Sequence, residues 1–460
     1  MKRHAGNHVM RAGAIAVGLP LGLSAVAAAT PSYDEVELQA RADGSTGYNL
    51  PVGSAFTNAT VAVNDQRQVA FSLISVGLGG PAGVWFGGGG EGEVVYEAPE
   101  GPSLSDASIN GHGEVVFEQF EFLSSDGVLQ YDPDTGDVSV AVEPGGPFNV
   151  QSFSSVQNND AGQIAFRATS FGDRGHIVDD DGDQTLYVGD SGFDPDSNVD
   201  FLFSPSFNND AQIATKALLD DGSNEIRLWH GDGTSTLVAV DSDGDPDSPY
   251  SGFDNSVSAA DGGLVAFNAS LVDGGRGVFL FDGEDVITIS TEDDPQVTEI
   301  EFFAPSANAD GLVAFRAFDG DDRRAIFVGD GDSLTRVVGH YDTVETDLGA
   351  GMIARPDTSP VFGGGITMNA NGDIAFRASI TEDGNEDVSW GAGAFVALAD
   401  VDETIPGDLN GDGTVGGADL GILLSEWGPC DDPDDCPADL NNDGTVGGAD
   451  LGILLSNWTN

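Results

Sequence analysis

One short phrase, approximately N-x-x-G-x-V-A-F-x-A, recurs seven times in the central part of the chain, and this periodicity limits the possible folds more than any other feature. It is clearest in NNDAGQIAFRA, NADGLVAFRA and NANGDIAFRA, whose anchoring phenylalanines are Phe166, Phe315 and Phe376. The remaining anchor positions are Phe71, Phe117, Thr215 and Phe267. Successive anchors lie about 50 residues apart, with the longest interval before the last, so one structural unit is repeated along most of the chain.

Each repeat contains segments with the pattern of short strands. The phrase itself supplies a strand with apolar residues on both faces, as is typical of a strand between two layers. Alternating strands follow it, such as RLWHGDG from Arg227 and then residues 237–240, and a further stretch leads into each Asn-x-x-Gly turn. The turn needs Asn and Gly because these residues tolerate positive φ. Four short strands per repeat predict a β-propeller blade, and the frequent glycines exclude a helical solenoid.

We predict a mainly β fold with a seven-bladed β-propeller over residues 30–400. Six or eight blades also fit, because the third copy lacks a clear third segment and the fourth departs from the phrase at Thr215. The seventh copy ends near Phe395 without an outermost strand, whereas residues 34–43, before the first copy, have strand alternation. We expect residues 34–43 to complete the last blade, which closes the ring and removes two exposed sheet edges.

The repeats resemble a tandem-repeat family of secreted bacterial proteins described by the pattern N-x-x-G-x-x-A-F-x-A. The resemblance covers about residues 55–400. It implies an architecture and no established activity, so the chemistry of the chain must be read from other features.

Near the C-terminus, the strings DLNGDGTVGGAD from Asp408 and DLNNDGTVGGAD from Asp439 have the pattern of twelve-residue calcium loops. Oxygen-bearing residues alternate around a glycine turn, Gly413 or Gly444, and an acid closes each loop, as calcium requires. Two acidic turns without metal are the alternative, which two copies in register disfavour. We predict two calcium ions and these ligands, the seventh loop position through its backbone carbonyl: Asp408, Asn410, Asp412, Thr414, Asp419, Asp439, Asn441, Asp443, Thr445 and Asp450.

A helix pattern follows each loop. Leu420, Leu423, Leu424 and Trp427 lie at i, i+3, i+4 and i+7, and the second copy repeats this spacing, which defines one apolar face per helix. No helix pattern enters either loop from its N-terminal side, as a two-helix EF-hand would need. The duplicated loop-helix unit resembles a type I dockerin module, so we expect a small all-α module over residues 408–460 whose folding depends on metal.

The resemblance to dockerins implies a protein partner, because these modules bind cohesin domains on other proteins. In that family the residues before the closing acid contribute to partner choice; here they are Gly417-Ala418 and Gly448-Ala449. They are identical in the two copies, which is compatible with binding in two orientations. They lack the hydroxyl-bearing pair common in cellulosomal dockerins, so the expected partner is a cohesin-like or another extracellular protein.

The N-terminus predicts export. Lys2, Arg3 and Arg11 precede or begin an apolar stretch over residues 12–26, which ends in small residues. This is typical of a cleaved signal peptide, here residues 1–29, rather than of a membrane anchor, and no later segment is apolar enough to span a bilayer. We therefore expect a secreted or cell-surface protein.

Two shorter features complete the domain plan. Residues 401–407 are expected to link the propeller to the module. Cys430 and Cys436 lie between the two calcium loops in the string CDDPDDC, and in an exported protein they can form a disulfide. A metal site built on these cysteines is disfavoured, because no His or further Cys lies nearby to complete it.

Composition and motifs exclude several classes of partner and of enzyme. A formal net charge of -61 disfavours nucleic acid and anionic lipid as partners. No G-x-S-x-G, H-E-x-x-H or phosphate-loop motif occurs, so no catalytic residue is predicted, and the acidic runs at 178–184 and 241–247 are interpreted as solvated turns.

These observations favour a secreted interaction protein whose propeller binds a ligand or partner. The alternative is an exported carbohydrate-active enzyme, a polysaccharide hydrolase or lyase, with carboxylates in the propeller channel. A surface-layer component is a third interpretation.

Overall fold

The computed structural model describes residues 30–58, 60–121, 124–400, 407, 409–410, 415–430, 436–441 and 444–458. The predicted signal peptide and all but Gly407 of the predicted linker lie outside these residues. The described residues form a β-propeller and a small C-terminal module. No helix in the described part of the chain is long and apolar enough to cross a membrane.

Six consecutive segments each form one antiparallel sheet of four or five strands, which we call blades 1 to 6. Blades 1 to 3 consist of β3 (Ala55–Phe56), β4 (Ala62–Val63), β5 (Gln68–Ser75), β6 (Gly83–Gly88), β7 (Glu91–Glu97); β8 (Ser103–Leu104), β9 (Ser108–Ile109), β10 (Val115–Glu121), β11 (Ser124–Asp132), β12 (Asp137–Val142); and β13 (Ser152–Asn158), β14 (Ile164–Ser170), β15 (Asp173–Asp180), β16 (Asp183–Gly189). Blades 4 to 6 consist of β17 (Val199–Leu202), β18 (Ser206–Phe207), β19 (Ile213–Leu219), β20 (Asn224–Trp229), β21 (Ser235–Val240); β22 (Tyr250–Phe253), β23 (Ser258–Ala260), β24 (Leu264–Leu271), β25 (Arg276–Phe281), β26 (Val286–Thr291); and β27 (Val297–Ile300), β28 (Ser306–Ala307), β29 (Val313–Asp319), β30 (Arg324–Gly329), β31 (Leu334–Gly339).

The repeated phrase forms the second strand of every blade, as in β5 and β14. The innermost strand differs from the predicted single short strand, because in five blades it is split into two pieces and only β13 of blade 3 is unbroken. Blade 3 also contains an outermost strand, β16, in the copy whose third segment was not recognisable in the sequence.

The seventh sheet is built from both ends of the propeller. It comprises β1 (Ser32–Ala42), β2 (Gly47–Tyr48), β32 (Thr343–Thr346), β33 (Gly349–Ile353), β34 (Phe362–Met368), β35 (Ile374–Glu382) and β36 (Asn385–Asp400). Strand β1 pairs antiparallel with β36, so residues 34–43 complete the last copy as predicted.

The prediction of seven blades is wrong, and six, one of the two other counts that the sequence allowed, is correct. Six sheets follow the plan of the repeat, whereas this closing sheet is composite and has seven strands. The long interval before the last phrase explains the difference, because it contributes the extra hairpin β32–β33.

The anchoring phenylalanines form the core between blades. Phe71, Phe117, Phe166, Phe267, Phe315 and Phe376 are all almost completely buried. Several stack on an aromatic residue of the third strand, as Phe315 does on Phe327 with ring centroids 5.7 Å apart. Burial of each such ring contributes about 2–3 kcal/mol. In blade 4, Thr215 occupies the anchor position and is also fully buried.

The residue that begins each Asn-x-x-Gly turn links its sheet to the next sheet. We call these seven residues the asparagine ring. Its seven positions are Asn64, Asn110, Asn159, Asn208, Ala260, Asn308 and Asn369. In Asn64, Oδ1 accepts the amide protons of Gln66 and Gln68 in its own turn, and Nδ2 donates to the carbonyl of Asn110 in the next blade at 2.9 Å. Asn369 donates to the carbonyl of Asn64 at 2.9 Å and closes the ring. Ala260 cannot donate, so the ring is interrupted between blades 5 and 6.

Two bidentate ion pairs reinforce the closure. Arg41, fully buried on β1, donates to both carboxylate oxygens of Asp347 at 2.7 and 2.9 Å. Arg67 in the turn of blade 1 does the same to the buried Asp373 at 2.9 and 3.1 Å. Both pairs join the N-terminal part of the propeller to its C-terminal part, and they add to the strand pairing and to the Asn369 hydrogen bond that close the ring.

The C-terminal module contains α1 (Gly417–Ser425), β37 (Gly428–Pro429), β38 (Thr445–Val446) and α2 (Gly448–Ser456). The prediction of an all-α module is wrong, because β37 and β38 pair antiparallel between the two helices. The predicted disulfide Cys430–Cys436 is present. Five buried residues form the core: Val415, Leu423, Ala438, Val446 and Leu454.

Candidate functional site

The seven innermost strands enclose a central channel with a wide and a narrow end. The wide end is a cavity of about 1130 Å³, and every sheet contributes to its wall. Serine is its most frequent lining residue, for example Ser105, Ser154, Ser204, Ser256 and Ser306. The narrow end, of about 220 Å³, lies at the asparagine ring. The arrangement therefore leaves a deep, hydroxyl-lined site at one end of the channel.

Carboxylates line the wide end on the side of blade 2. Glu121 and Asp106 are exposed, whereas Glu118 on β10 is only 5% exposed. Burial raises the pKa of Glu118 to about 7, although hydrogen bonds from Ser125 and from the Phe153 amide oppose this shift. A carboxyl group with such a pKa can exchange a proton near neutral pH.

Glu118 occupies the variable position of A-F-x-A, which faces the next sheet; we call it the cross-blade position. Its seven residues are Ser72, Glu118, Arg167, Lys216, Asn268, Arg316 and Arg377. All except Glu118 donate to a main-chain carbonyl of the next sheet, as Lys216 does to Phe253 at 3.0 Å and Arg316 to Gly364 at 2.6 Å. Glu118 instead accepts the amide proton of Phe153 at 3.1 Å.

Four cross-blade residues are therefore cations held behind the wall of the wide end. Burial lowers the pKa of each of them: Arg167, Lys216, Arg316 and Arg377. Only Arg316 among these forms an ion pair with a carboxylate within the described residues, that of Glu301. Carboxylates thus line the cavity on one side, whereas the cations lie behind its wall.

In each predicted calcium loop, the structure places the closing acid beside the main chain of the third position. In the first loop, Asp419 Oδ1 accepts the amide protons of Leu409 and Asn410 at 3.0 and 3.2 Å, and Oδ2 accepts that of Gly416 at 2.7 Å. These amide hydrogen bonds lower the pKa of Asp419, although burial opposes them. The closing acid therefore lies against the third position of its loop.

The second loop repeats this geometry. Asp450 accepts the amide protons of Asn441 and Gly447 at 3.2 and 2.6 Å, and Asp439 accepts that of Gly444 at 2.7 Å. Thr445 begins β38. The twelfth position of this loop thus lies against the main chain of the third position, while the first position caps the glycine turn.

Four predicted ligands lie outside the described residues: Asp408, Asp412, Thr414 and Asp443. The described part of each loop therefore supplies at most two carboxylates, and no cluster of three His, Cys, Asp or Glu suited to a metal is found in the described portion of the chain. The acidic runs of the propeller form turns, in agreement with their interpretation: Asp179 caps one by accepting from Gly182, and Asp241 another by accepting from Gly244.

The apolar face predicted for each helix is only partly covered. Leu423 and Leu454 are buried in the module core. By contrast, four large apolar residues remain 38–53% exposed: Leu424, Trp427, Leu455 and Trp458. They occupy equivalent positions in the two copies, so each helix presents the same exposed pair.

Sequence reasoning did not identify the residues of the channel. One position of the repeat holds Glu118, Arg167 and Lys216. The variation of residue type at that position was the signal that could have identified them. The repeat identifies the position but does not reveal that it faces the next blade.

Comparisons with known proteins find similar solved structures at low sequence identity. No protein-family model matches the chain, and no curated protein matches its sequence. An oligogalacturonate lyase in complex with manganese is similar at 13% identity over 81% of this chain and 98% of its own, with a TM-score of 0.48. The polysaccharide lyase Uly1 shares 10% identity over 80% and 98%, with a TM-score of 0.46. A six-bladed fungal lectin from Aleuria aurantia shares 10% over 64% and 97%, with a TM-score of 0.36. These likenesses carry no conclusion about what this chain binds.

Proposed function

We propose that this chain is a secreted, calcium-binding interaction protein. Its propeller, in which the closing sheet joins six blades, binds a hydroxylated ligand such as a polysaccharide segment, and its C-terminal module attaches it to another extracellular protein. The observation that carries the proposal is the cavity of about 1130 Å³, which all seven sheets line and whose wall is rich in serine hydroxyls. A concave site of this size with many convergent hydroxyls suits a ligand that donates and accepts many hydrogen bonds.

The module is proposed to be dockerin-like and to hold two calcium ions. The fit is supported by the closing carboxylates Asp419 and Asp450, which lie against the loop positions that should share the ion. Calcium, when bound, would neutralise the acidic loops that otherwise repel one another. A core of five buried residues is small for a module with two helices, which favours dependence on metal.

The partner surface of the module is proposed to be the exposed apolar face of α1 and α2. Trp427 and Trp458 are 49% and 38% exposed at equivalent positions of the two copies. Large aromatic residues that remain exposed on a small module favour a protein partner, here cohesin-like.

The proposal is tested with the mature chain, residues 30–460. Calorimetric titration should show uptake of about two calcium ions, and a panel of soluble oligosaccharides should include at least one that binds with a micromolar to millimolar Kd. Absence of calcium uptake at millimolar concentration would refute the module, and absence of any oligosaccharide binding would refute the ligand-binding propeller.

A second function is favoured by one observation. Glu118 is a buried carboxyl group on the cavity wall whose pKa burial raises to about 7, as a general acid in a polysaccharide hydrolase or lyase needs. Incubation with polysaccharides, followed by reducing-end and 235-nm assays, tests this activity. Glu118→Gln should abolish any turnover, whereas Glu121→Gln in the same cavity should retain much of it.

A further inference from the structure

Three cations lie together at the junction of blades 3 and 4, and we call them the cation cluster: Arg167, Arg174 and Lys216. They surround the end of β17. The Arg174 guanidinium lies 4.1 Å from the centroid of the Phe201 ring, and Lys216 Nζ lies 4.2 Å from that of Phe203. The proximity of Arg174 contributes, after burial, to the lowered pKa of Arg167. The cluster therefore concentrates positive charge at the junction of these two blades.

No member of the cluster forms an ion pair with a carboxylate among the residues that the structure describes, although the chain carries a formal net charge of -61. Other arginines of the propeller do have such partners, as Arg276 has Asp254 at 2.6 Å. Arg167 and Arg174 are half-buried, whereas Lys216 is buried and has Asp254 and Asp241 close enough to oppose the lowering of its pKa by burial. Because neither arginine forms an ion pair within the described residues, an incoming anion would gain charge-assisted hydrogen bonds from them at little cost in displaced partners.

A purely structural role accounts for two of the three cations. Arg167 and Lys216 hold blades together, since they donate to the carbonyls of Leu202 and Phe253 at 3.3 and 3.0 Å. Arg174 is different, because its side chain is half-buried and makes only the contact with Phe201 within the described part of the molecule. Its guanidinium retains donors that the fold does not use.

The cluster adjoins the wide end of the channel. Arg167 Nε donates to Ser154 Oγ at 3.0 Å, and Ser154 lines the cavity. Thr169, which is the cross-strand partner of Arg174, also lines the cavity. So does Ser204, which directly follows Phe203. A ligand seated in the wide end can therefore place an anionic group beside the cluster.

We propose that the ligand of the wide end is an acidic saccharide and that the cation cluster recognises its carboxylate or sulfate group. A guanidinium group can donate two parallel hydrogen bonds to two oxygens of a carboxylate or of a sulfate, and the serine-rich wall suits the sugar hydroxyls. This inference rests on the proposed ligand-binding function of the channel. It assigns the charge of the ligand, which the acidic composition of the whole chain would not suggest.

Calorimetry on the mature chain at 0.15 M salt tests the inference with three probes: trigalacturonate, its uncharged methyl ester, and a sulfated galactose trisaccharide. We expect at least one anionic probe to bind at least tenfold more tightly than the ester. Preference between the two anionic probes identifies carboxylate or sulfate as the recognised group. Equal binding of the ester would overturn the inference but leave the ligand-binding channel intact, whereas no binding of any probe would overturn both.

A matched pair of variants locates the site. Arg174→Gln should weaken binding of the preferred anionic probe at least tenfold without lowering the thermal midpoint. Arg323→Gln removes a cation from blade 6 that is 45% exposed and pairs loosely with Asp321, so its Kd should stay within twofold of the wild type. An unchanged Kd for Arg174→Gln would exclude the cluster as the recognition site.

Discussion

The propeller and the C-terminal module are both built from repeated units, but they differ in how completely those units bury their apolar side chains. In the propeller each blade packs against two neighbours, and its anchoring phenylalanines are almost completely buried. In the module two loop-helix units pack against each other, and five residues are buried in its core while Trp427 and Trp458 remain exposed. Closure into a ring therefore lets a short repeat fold through contacts with its neighbours. The two loop-helix units of the module do not close into a ring, and they depend on a disulfide and, we propose, on metal and a partner.

The largest expected effect would come from removing calcium. We predict that EDTA unfolds the module and leaves the propeller intact, because only the module lacks a core large enough to fold without metal. Hydrogen exchange of α1 and α2 should then rise to the level of an unfolded chain, while that of β14 and β29 should not change. Asp450→Asn should weaken calcium binding at least tenfold, and Glu426→Gln, an exposed carboxylate of the same module, should not. Protected helices in EDTA would remove the contrast between the two regions.

The closure of the ring is the next test of the comparison. Arg41→Met leaves Asp347 without its partner in a mostly buried position, so we predict a loss of about 3–5 kcal/mol in the free energy of unfolding of the propeller. Urea denaturation measures this loss. Arg355→Met breaks an exposed pair with Asp357 and should cost less than about 1 kcal/mol. Equal effects of both substitutions would mean that the buried pair adds nothing to the closure.

A smaller effect concerns the pH dependence of the propeller. Burial raises the pKa of Glu118 from 4.5 to about 7, so the folded state binds more protons than the unfolded state between these values. Stability contributed by this group therefore falls as pH rises through that window, by at most about 3 kcal/mol. Glu118→Gln should remove this component, so the variant should gain stability relative to the wild type between pH 5 and 8. Glu121→Gln should leave the slope unchanged, and a parallel pH dependence for Glu118→Gln and wild type would refute the prediction.

The asparagine ring predicts the smallest effects and allows a gain as well as a loss. Asn208→Ala removes the hydrogen bond to the Ala260 carbonyl, 2.9 Å long, and should cost about 1–3 kcal/mol. Ala260→Asn should restore the missing donor between blades 5 and 6 and add up to about 1 kcal/mol. Thermal unfolding of both variants compares an intact and an interrupted position of the same ring. Destabilisation by Ala260→Asn would show that the turn of blade 5 cannot accommodate the side chain.

The sequence predicted those features that repeat. The periodic phrase identified the second strand of every blade and the buried phenylalanines, and the unmatched strand before the first copy identified the closure. It could not predict the composite closing sheet or the pairing of Arg41 with Asp347, because these depend on insertions and on residues that meet only across the ring. The channel was missed for the same reason, since Glu118 and Arg167 stand at a position where the repeat varies. In the module, the ligand spacing is readable along the chain, whereas the hairpin of β37 and β38 is too short to leave a pattern.

The pairing of β1 with β36 has a consequence for the order of events during synthesis. Ser32 pairs with Asp400, so β1, apart from the short stretch that pairs with β2, must wait for almost the last strand of the propeller before it gains a partner. Blades 1 to 6 form from contiguous segments and can fold as they emerge, but the ring itself assembles in one late, non-local step, which should be slow. During that interval the edge of β1 that later pairs with β36 is exposed, and the corresponding strand of a second copy of the chain could pair with it. The propeller is thus most vulnerable to domain exchange shortly before its synthesis is complete.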